Sequence, residues 1–229
     1  MSDASNDTQS MPPHVQLVQM AMGHWVSRII YLAAKLGLAD RLADGPMSAE
    51  SLAGPTGTDS RSLYRFMRSL ANLGVLTEDG SRLFALTPLG EALKKSAPGA
   101  AHASVLTIAG PWWFDGFGEL EHSVRTGTSG FEKALGMPIF DFLAQNPADA
   151  SLFSETMIGF HGAEPAAVAA AYDFSTVKTV VDVGGASGFL LTTILRQHPH
   201  LKGILFDLPH VVRDAPSLIA TTGLNERVT

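Results

Sequence analysis

A glycine-rich turn between a strand pattern and a helix pattern is the feature that most restricts the fold of this chain. Residues 180–189 read VVDVGGASGF, so a short β-branched run enters a cluster of glycines. The apolar pattern of FLLTTILRQH that follows is typical of a helix packed on a sheet. This order of strand, turn and helix begins a βα unit in a doubly wound α/β sheet. We therefore expect a ligand at the turn, and a purely structural loop is the alternative.

The spacing of the glycines distinguishes between two nucleoside cofactors. A dinucleotide site has the pattern G-x-G-x-x-G, in which the third small residue lets the helix approach the strand. Counted from Gly184, that pattern puts Ala186 second and the bulky Phe189 third, which argues against a dinucleotide. The pattern D-x-G-x-G-x-G fits from Asp182 to Gly188, with Ala186 in the middle position. A carboxylate at Asp182 suits a positively charged cofactor such as S-adenosylmethionine, which has a sulfonium and an amino group.

The next predicted strand supports a nucleoside cofactor. An apolar run from Lys202 to Phe206 ends at Asp207, nineteen residues after Gly188. An acidic residue at the end of the second strand is where the ribose hydroxyls of a nucleoside cofactor are bound. The turn and this acidic residue together are a stronger signal than either one alone.

The first ninety residues predict a winged helix. A short helix that begins at Ser48 and is stopped by Gly54-Pro55 precedes a longer helix that ends at Gly74. The segment VLTEDGSRLFALT reads as a hairpin with its turn at Asp79-Gly80, and Thr87-Pro88 begins another helix. Helix, turn, helix and hairpin in this order are typical of a winged helix.

A winged helix is one of the folds that bind DNA, and this function has to be weighed. Arg61, Arg65 and Arg68 lie on one face of the longer helix, which is the face a DNA reader would use. The hairpin, however, carries the acidic residues Glu78 and Asp79, and the whole chain has a formal net charge of −6. We therefore expect a dimerisation or pocket-forming domain and no nucleic-acid partner.

The segment from His14 to Leu38 predicts a helix that has large apolar residues on several faces. These residues are Val15, Val18, Met22, Trp25, Val26, Ile29, Ile30, Ala33 and Leu36. Because one small domain cannot bury all of them, we expect the helix to lie in a homodimer interface. Packing in the core of the same chain is the alternative. Residues 100–172 are predicted as further helices, with starts at Pro111, Pro138, Asn146-Pro147 and Glu164-Pro165.

Composition excludes several classes of protein. The chain has 229 residues, of which 45% are hydrophobic, and it contains no cysteine. Its acidic balance gives no bulk attraction to nucleic acid or to an anionic membrane. The first ten residues lack the basic start and the apolar core of a signal peptide, and no apolar run approaches the ~20 residues of a membrane-spanning helix. We expect a cytoplasmic protein with no membrane partner and no metal site.

The segment VVDVGGASGFLLTTILRQHPHLKGILFDLPHVV resembles the cofactor motif of a family of S-adenosylmethionine-dependent small-molecule O-methyltransferases. That family includes the plant caffeic acid, hydroxyindole, and bacterial polyketide and phenazine enzymes. The resemblance extends upstream through FSETM and the winged-helix region, so it covers nearly the whole chain. It implies a mainly α N-terminal winged-helix dimerisation domain followed by the start of an α/β Rossmann-like methyltransferase domain. The expected boundaries are a disordered leader at 1–13, the dimerisation domain at 14–98, a helical linker and substrate-pocket region at 99–172, and a partial cofactor-binding domain at 173–229.

The resemblance implies roles for the cofactor residues. Gly184, Gly185 and Gly188 would form the turn around the methionine part of the cofactor. Asp207 would bind the ribose hydroxyls, and Leu208 would lie against the adenine. The protein is then expected to transfer a methyl group to a small, aromatic, hydroxyl-bearing acceptor.

The resemblance also implies an acceptor site. Phe153 and Met157 match the F-x-x-x-M pair that the family has near the methyl acceptor. Trp112 and Trp113 are expected to line the acceptor pocket, and His161 falls where relatives have a residue near the cofactor or substrate. Packing in the core is the alternative for the aromatic residues, and a surface position is the alternative for the histidine.

The sequence departs from its family in two places. Ala186 stands where relatives usually have a third consecutive glycine; alanine could narrow the loop slightly and should be tolerated if its φ is negative. The catalytic base of relatives follows a third strand, and that position lies beyond Thr229. No catalytic residue is therefore assigned, and we expect these 229 residues alone not to turn over. A non-catalytic dimerisation module and a DNA-binding regulator are the alternative functions.

Overall fold

The computed structural model describes residues 11–99, 101–160, 162, 164–213 and 215–229. The chain divides into two compact units, residues 1–94 and 95–229. The predicted end of the dimerisation domain at residue 98 lies near this boundary, whereas the predicted division at residue 173 falls within the second unit. Most of the predicted leader lies outside the described residues, although a helix already begins at Pro13.

The first unit is helical apart from one hairpin. Its helices are α1 (Pro13–Ala21), α2 (Gly23–Lys35), α3 (Leu38–Arg41), α4 (Ala49–Thr56), α5 (Ser60–Asn72) and α6 (Pro88–Glu91), and its strands are β1 (Leu76–Glu78) and β2 (Phe84–Leu86). The core of the unit contains Leu38, Leu52, Met67, Leu70 and Phe84, each of which is almost fully buried.

Side-chain caps begin three helices of this unit, namely α4, α5 and α6. The Ser48 side chain accepts the N–H of Ser51 at the start of α4, and the Thr87 side chain accepts the N–H of Gly90 at the start of α6. The longer helix α5 ends where Gly74 takes a φ of 74°. Each cap accepts a backbone N–H that lacks a partner within the helix.

The helix α4 ends slightly later than the predicted stop. The sequence predicts a stop at Gly54-Pro55, but Pro55 lies inside the helix and α4 continues to Thr56. Proline in the last turn removes only one helical hydrogen bond, and the helix can continue past it when other contacts hold the turn. The Thr56 hydroxyl donates to the carbonyl of Leu52, and Gly57 then ends the helix with a φ of 64°.

The predicted helix from His14 to Leu38 is divided in the structure. It consists of α1, α2 and the short α3, with a break at Met22 and a left-handed Gly37 before α3. Within this chain α1 has no buried residue, so the alternative that this part of the segment packs in the core of the same chain is not observed. The exposed large apolar residues of α1 and α2 are Leu17, Val18, Met20, Met22, Trp25, Val26 and Leu32.

The hairpin forms as predicted. β1 and β2 are antiparallel, with Leu76 opposite Leu86 and Glu78 opposite Phe84. In the connecting loop, the carboxylate of Asp79 accepts the N–H groups of Ser81 and Leu83. An aspartate that bonds the backbone ahead of it is a common device for closing a turn.

The second unit begins with a run of helices and ends with a small parallel sheet. The helices are α7 (Ala101–Ile108), α8 (Pro111–Gly118), α9 (Leu120–Thr126), α10 (Gly130–Leu135), α11 (Ile139–Gln145), α12 (Pro147–Phe160), α13 (Glu164–Ala171), α14 (Phe189–Gln197), α15 (Pro209–Val212) and α16 (Ala215–Thr221). The strands are β3 (Thr179–Val183) and β4 (Lys202–Phe206), close to the predicted ones. The predicted helix starts at Pro111, Pro147 and Glu164 are confirmed.

The sheet has the connectivity of a βα unit. β3 and β4 are parallel, with Thr179 opposite Lys202 and Val183 opposite Phe206, and α14 connects them. Residues 227–229 hydrogen-bond to the other edge of β4, where the N–H of Leu205 donates to the carbonyl of Thr229 over 2.8 Å. β4 therefore lies between β3 and this segment, which is the order of neighbours in one half of a doubly wound sheet.

One face of this sheet forms the core of the unit. Leu191, Ile194 and Leu195 of α14 are buried together with Leu201, and Val180 and Leu205 of the two strands pack against them. The strand residues in between point to the opposite face and are exposed, namely Val181, Val183, Ile204 and Phe206. This alternation is the ordinary two-residue period of a strand.

Candidate functional site

The predicted cofactor residues meet at the carboxyl ends of β3 and β4. The register pairs Val183 with Phe206, so the turn that follows β3 and Asp207 that follows β4 lie side by side. The N–H of Gly184 continues the ladder by donating to the carbonyl of Phe206 over 2.8 Å. Ligands of open α/β sheets bind outside the carboxyl ends of the strands, so this is the position at which a site is expected.

The turn from 184 to 188 is formed by three left-handed residues. Gly184 and Gly188 have φ values of 73° and 78°, which glycine adopts without a steric penalty. Ala186 has a φ of 48°, so the condition of a negative φ, under which alanine would be tolerated without strain, is not met. The chain has to reverse from β3 into α14 within five residues, and it does so by alternating left-handed residues at 184, 186 and 188. Alanine at the middle position carries strain that the family's usual glycine avoids.

Gly185 is required for a different reason, namely lack of space. A Cβ atom at this position would lie 2.5 Å from Cδ1 of Leu205 and 2.7 Å from Oδ2 of Asp182. The backbone of the turn therefore passes directly against the Asp182 carboxylate. This close approach is what brings an acidic group and a row of backbone amides into one small volume.

Asp182 is partly buried, and one of its two carboxylate oxygens lacks a hydrogen-bond partner among the described residues. This oxygen is Oδ2, which is itself buried. Burial raises the pKa of Asp182 above its ordinary value, the N–H of Leu191 opposes the shift, and the Asp207 carboxylate adds to it. An unsatisfied buried carboxylate costs free energy, so a ligand that supplies a positive charge or an N–H donor would be stabilised here.

Asp207 binds the turn as well as following the strand. Its Oδ2 atom accepts the N–H of Ala186 over 2.9 Å, and its Oδ1 atom accepts the N–H of Leu208 over 2.7 Å. A carboxylate has about four acceptor positions, so the two oxygens keep capacity for further donors such as ribose hydroxyls. The contact between Asp207 and Ala186 was not predicted, because no local sequence pattern joins residues that lie 21 positions apart.

Leu208 is positioned beside this carboxylate. It is the residue that precedes α15, and its side chain is 45% exposed. An exposed leucine next to the acidic residue at a strand end is available to contact a flat ring. Its predicted role against an adenine stays a prediction.

The predicted acceptor residues form a second group on α8 and α12. The ring centroid of Phe153 lies 6.5 Å from that of Trp112 and 6.3 Å from that of Trp113, and Phe131 and Phe140 extend the cluster. Trp112 is only 7% exposed, so its ring is part of the core, while Trp113 and Phe153 are partly exposed. Met157 is also partly buried, one helical turn after Phe153. Within the described part of the chain, no hydrogen bond or ring contact joins this group to the glycine turn.

Two histidines at the end of α14 contact backbone carbonyls. His161 lies outside the described residues. His198 and His200 donate from Nε2 to the backbone carbonyls of Ala169 and Phe174, 3.0 Å away in each case, and thereby hold the chain before β3 to the end of α14. Over the described ranges, no group of three or more potential ligands could hold a metal ion.

Comparisons with known proteins agree with this arrangement. The model of the O-methyltransferase dimerisation domain matches residues 18–96, and the model of the O-methyltransferase domain matches residues 117–229. The chain belongs to the O-methyltransferase family, as the resemblance of its sequence implies. The predicted fold class, a helical dimerisation domain followed by a methyltransferase domain, is confirmed.

Three related proteins illustrate the extent of the similarity. The chain is 38% identical to the phenazine O-methyltransferase of Lysobacter antibioticus over 97% of its own length and 65% of that protein. It is 35% identical to a mitomycin biosynthesis 6-O-methyltransferase of Streptomyces lavendulae, over 90% of this chain and 59% of that one. The structure of a mitomycin 7-O-methyltransferase superposes with a TM-score of 0.88 at 34% identity, covering 94% of this chain and 64% of that one. The chain thus spans just under two thirds of the proteins it matches.

A solved structure from the same comparison was determined with bound ligands. It is an O-methyltransferase from neocarzinostatin biosynthesis in complex with S-adenosylmethionine and 2-hydroxy-5-methyl naphthoic acid. It superposes with a TM-score of 0.79 at 31% identity, over 89% of this chain and 63% of that one.

Across the described residues, no helix has the combination of length and apolar character that crossing a membrane requires. The cytoplasmic location expected from the sequence stays a prediction.

Proposed function

We propose that this chain carries the dimerisation domain and the cofactor-binding turn of an S-adenosylmethionine-dependent O-methyltransferase. The observation that carries the proposal is the buried Oδ2 atom of Asp182, which lacks a partner and lies against the backbone of Gly185. The carboxylate interacts with the N–H of Leu191 in the first turn of α14, but burial of Oδ2 without a partner costs free energy. A cationic ligand bound over the turn would offset this cost.

The residues present fit this cofactor. Asp182 would hold the amino group or the sulfonium side, by direct contact or through water, and the left-handed backbone of Gly184 and Gly188 would leave room for the methionine part. Asp207 has free acceptor positions for ribose hydroxyls, and Leu208 offers an exposed apolar side chain to the adenine. The cofactor supplies a methyl group on an activated sulfur. The work of the protein is then to align the acceptor oxygen and to remove its proton.

The aromatic group on α8 and α12 supports a flat acceptor. Trp113 and Phe153 are partly exposed and are held by the buried ring of Trp112. Rings supported in this way bind planar compounds with little loss of side-chain freedom. We infer a small aromatic acceptor with a hydroxyl group. One relative is an 8-amino-8-demethylriboflavin N,N-dimethyltransferase, so an aromatic amine belongs among the acceptors to be tested.

The exposed apolar surface of α1 and α2 supports a homodimer. Leu17, Val18, Met20 and Trp25 are each more than half exposed in the single chain. Contiguous apolar residues of this size on a surface helix are typical of an interface. Light scattering should give a mass of about twice the 24.3 kDa chain. Trp25→Asp should shift the mass towards the monomer, and Val124→Asp, an 80% exposed valine on α9, is the matched control.

Two arginines, Arg68 of α5 and Arg82 of the hairpin loop, argue against the regulator hypothesis, because each contacts a side chain of its own domain. Arg68 lies 3.4 Å from the Glu78 carboxylate, and the Arg82 guanidinium lies over the ring of Tyr64. Charges used in this way within the domain give weak attraction to phosphates. We therefore propose that the domain does not bind DNA. A salt-dependent gel shift of duplex DNA that is lost on Arg65→Ala would contradict this.

Calorimetry with S-adenosylmethionine tests the central proposal. Asp182→Asn and Asp207→Ala should each weaken binding by about 1.5–3 kcal/mol, the range for hydrogen bonds to a charged group. Asp173→Ala is a matched control, because Asp173 also accepts a backbone N–H over 2.9 Å in the same unit. Absence of binding to the folded wild-type chain, or equal affinity in all variants, would reject the proposed site. Labelled methyl transfer to a panel of phenols and aromatic amines then tests the expectation that these 229 residues alone do not turn over.

A further inference from the structure

We propose that Asp207 is a positioning residue that shapes the glycine turn before any ligand binds, by holding Ala186 in its left-handed conformation. This inference rests on the proposed function only for the identity of the ligand. The geometry that carries it is the 2.9 Å hydrogen bond from the Ala186 N–H to Oδ2 of Asp207, together with the φ of 48° at Ala186.

The backbone conformation at Ala186 needs an external cause. A left-handed alanine costs about 1–2 kcal/mol relative to its right-handed or extended forms, because its Cβ approaches the following carbonyl oxygen. Such a residue persists only where its surroundings hold it in place. The N–H of Ala186 points to a carboxylate, and a hydrogen bond to a charged acceptor is roughly twice as strong as a neutral one. The free energy of this hydrogen bond is therefore comparable with the cost of the left-handed conformation, and the bond can offset that cost.

The position of Asp207 is itself fixed on the other side. Its second oxygen, Oδ1, accepts the N–H of Leu208 over 2.7 Å, and the preceding residue Phe206 accepts the N–H of Gly184. The carboxylate is thus attached to β4 by its own backbone neighbours, while it holds the turn that follows β3. In a relative with glycine at position 186 the turn would need no such support. Alanine makes this chain depend on Asp207 for the shape of its cofactor turn.

This dependence has a consequence that can be measured as coupling between positions 186 and 207. Without the carboxylate, Ala186 should leave the left-handed region, and the turn would be in its binding shape for only part of the time. Apparent affinity falls by that fraction. A cost of about 1–2 kcal/mol corresponds to about 5- to 30-fold at 1.4 kcal/mol per tenfold. Glycine at 186 removes this cost, because glycine adopts positive φ freely.

The first experiment is a double-mutant cycle on S-adenosylmethionine affinity. Asp207→Ala should weaken binding, and Ala186→Gly introduced into that variant should restore about fivefold or more of it. The same Ala186→Gly change in the wild-type background should restore nothing comparable. Asp173→Ala combined with Ala186→Gly is the control and should show no coupling. Coupling of less than twofold between 186 and 207 would overturn the proposal.

The second experiment does not depend on the cofactor. In ¹⁵N-labelled protein, the Ala186 amide should exchange slowly with solvent in the wild type and in Asp207→Asn, which keeps an acceptor oxygen, and rapidly in Asp207→Ala. Unprotected exchange of this amide in the folded wild type would reject the positioning role even if the cofactor binds. If the cofactor does not bind but the amide is protected, the proposed function fails and the positioning role stands. Should Asp207→Ala not fold, protection of the Ala186 amide in the wild type decides the matter, since an unprotected amide would reject the hydrogen bond to Asp207.

Discussion

Alanine at position 185 would place a methyl group where the structure has no room for one. The new Cβ would lie 2.5 Å from Cδ1 of Leu205, 2.6 Å from Cγ of Asp182 and 2.7 Å from its Oδ2. Since optimal carbon–carbon contacts are about 3.5–4.0 Å, these atoms overlap by roughly 1 Å. Either Leu205 or Asp182 has to move. Leu205 packs against the buried residues of α14, so its movement disturbs the core of the second unit.

The expected cost follows from comparable overpacking. Extra methyl groups in a well-packed core destabilise by about 1–3 kcal/mol. For a protein of this length, each kcal/mol lowers the midpoint of thermal unfolding by about 2–4 °C. We therefore expect Gly185→Ala to melt about 2–12 °C below the wild type. Displacement of Asp182 should also weaken the binding of S-adenosylmethionine by at least tenfold.

A matched glycine makes the assay decisive. Gly118 lies in the same unit at the end of α8, and a Cβ there would meet nothing within 4 Å. Gly118→Ala should leave the melting temperature unchanged or slightly higher, because alanine favours a helix more than glycine does. Circular dichroism melts and calorimetry on both variants test the pair. The steric argument is refuted if Gly185→Ala melts within 1 °C of the wild type and binds the cofactor equally well.

Three further changes have defined outcomes. Burial raises the pKa of Asp182, so the protonated form of this residue contributes to the stability of the fold. This contribution should be complete below the ordinary aspartate range and should be lost as the pH rises through the raised pKa. Asp182→Asn should remove the loss, as measured by urea unfolding from pH 4 to pH 8. The hydroxyls of Thr107 and Thr156 lie 3.0 Å apart in the buried contact of α7 with α12, so Thr156→Val should cost about 1–3 kcal/mol, whereas the double valine variant should cost less; equal losses would contradict this. The guanidinium of Arg227 donates to the carbonyls of Leu195, His198 and Leu201, so Arg227→Lys should lose about 1.5–3 kcal/mol in the same unfolding assay, while the exposed Arg196→Lys should be neutral.

Local signals in the sequence were sufficient for most of the secondary structure. Ser48 was predicted as the start of a helix and Thr87 as a helix N-cap, and the structure shows both side chains accepting backbone N–H groups. The hairpin turn at Asp79 was predicted from a pair of residues that close such turns. These features depend on neighbours within three or four residues, so they can be read without knowing the fold. Pro55 shows the limit, because a proline in a last helical turn can be held by contacts that sequence alone does not show.

The candidate site was predicted in its residues but not in its internal contacts. The glycine spacing and the acidic residue after β4 identify Asp182, Gly184, Gly188 and Asp207 as neighbours. The left-handed conformation of Ala186 and its bond to Asp207 arise from two segments that are adjacent only after the strands pair. No local pattern encodes such a contact. The positive φ of Ala186 could therefore not be predicted from a residue type that favours a negative one.

The burial of Asp182 is a consequence of the strand register and is itself an argument for function. Residues of β3 alternate between the two faces, so the register that packs Val180 against the core also turns Asp182 inward, while Val181 and Val183 are exposed. A slip of one residue would exchange the faces and move the carboxylate into water. The chain instead keeps an acidic group on its core-facing side, with one oxygen unpaired. A buried oxygen that no described residue satisfies is a local cost of the kind that proteins carry at functional sites. An apolar residue at 182 should accordingly stabilise the second unit and abolish cofactor binding together, and stabilisation with unchanged binding would show that the carboxylate has no role in the site.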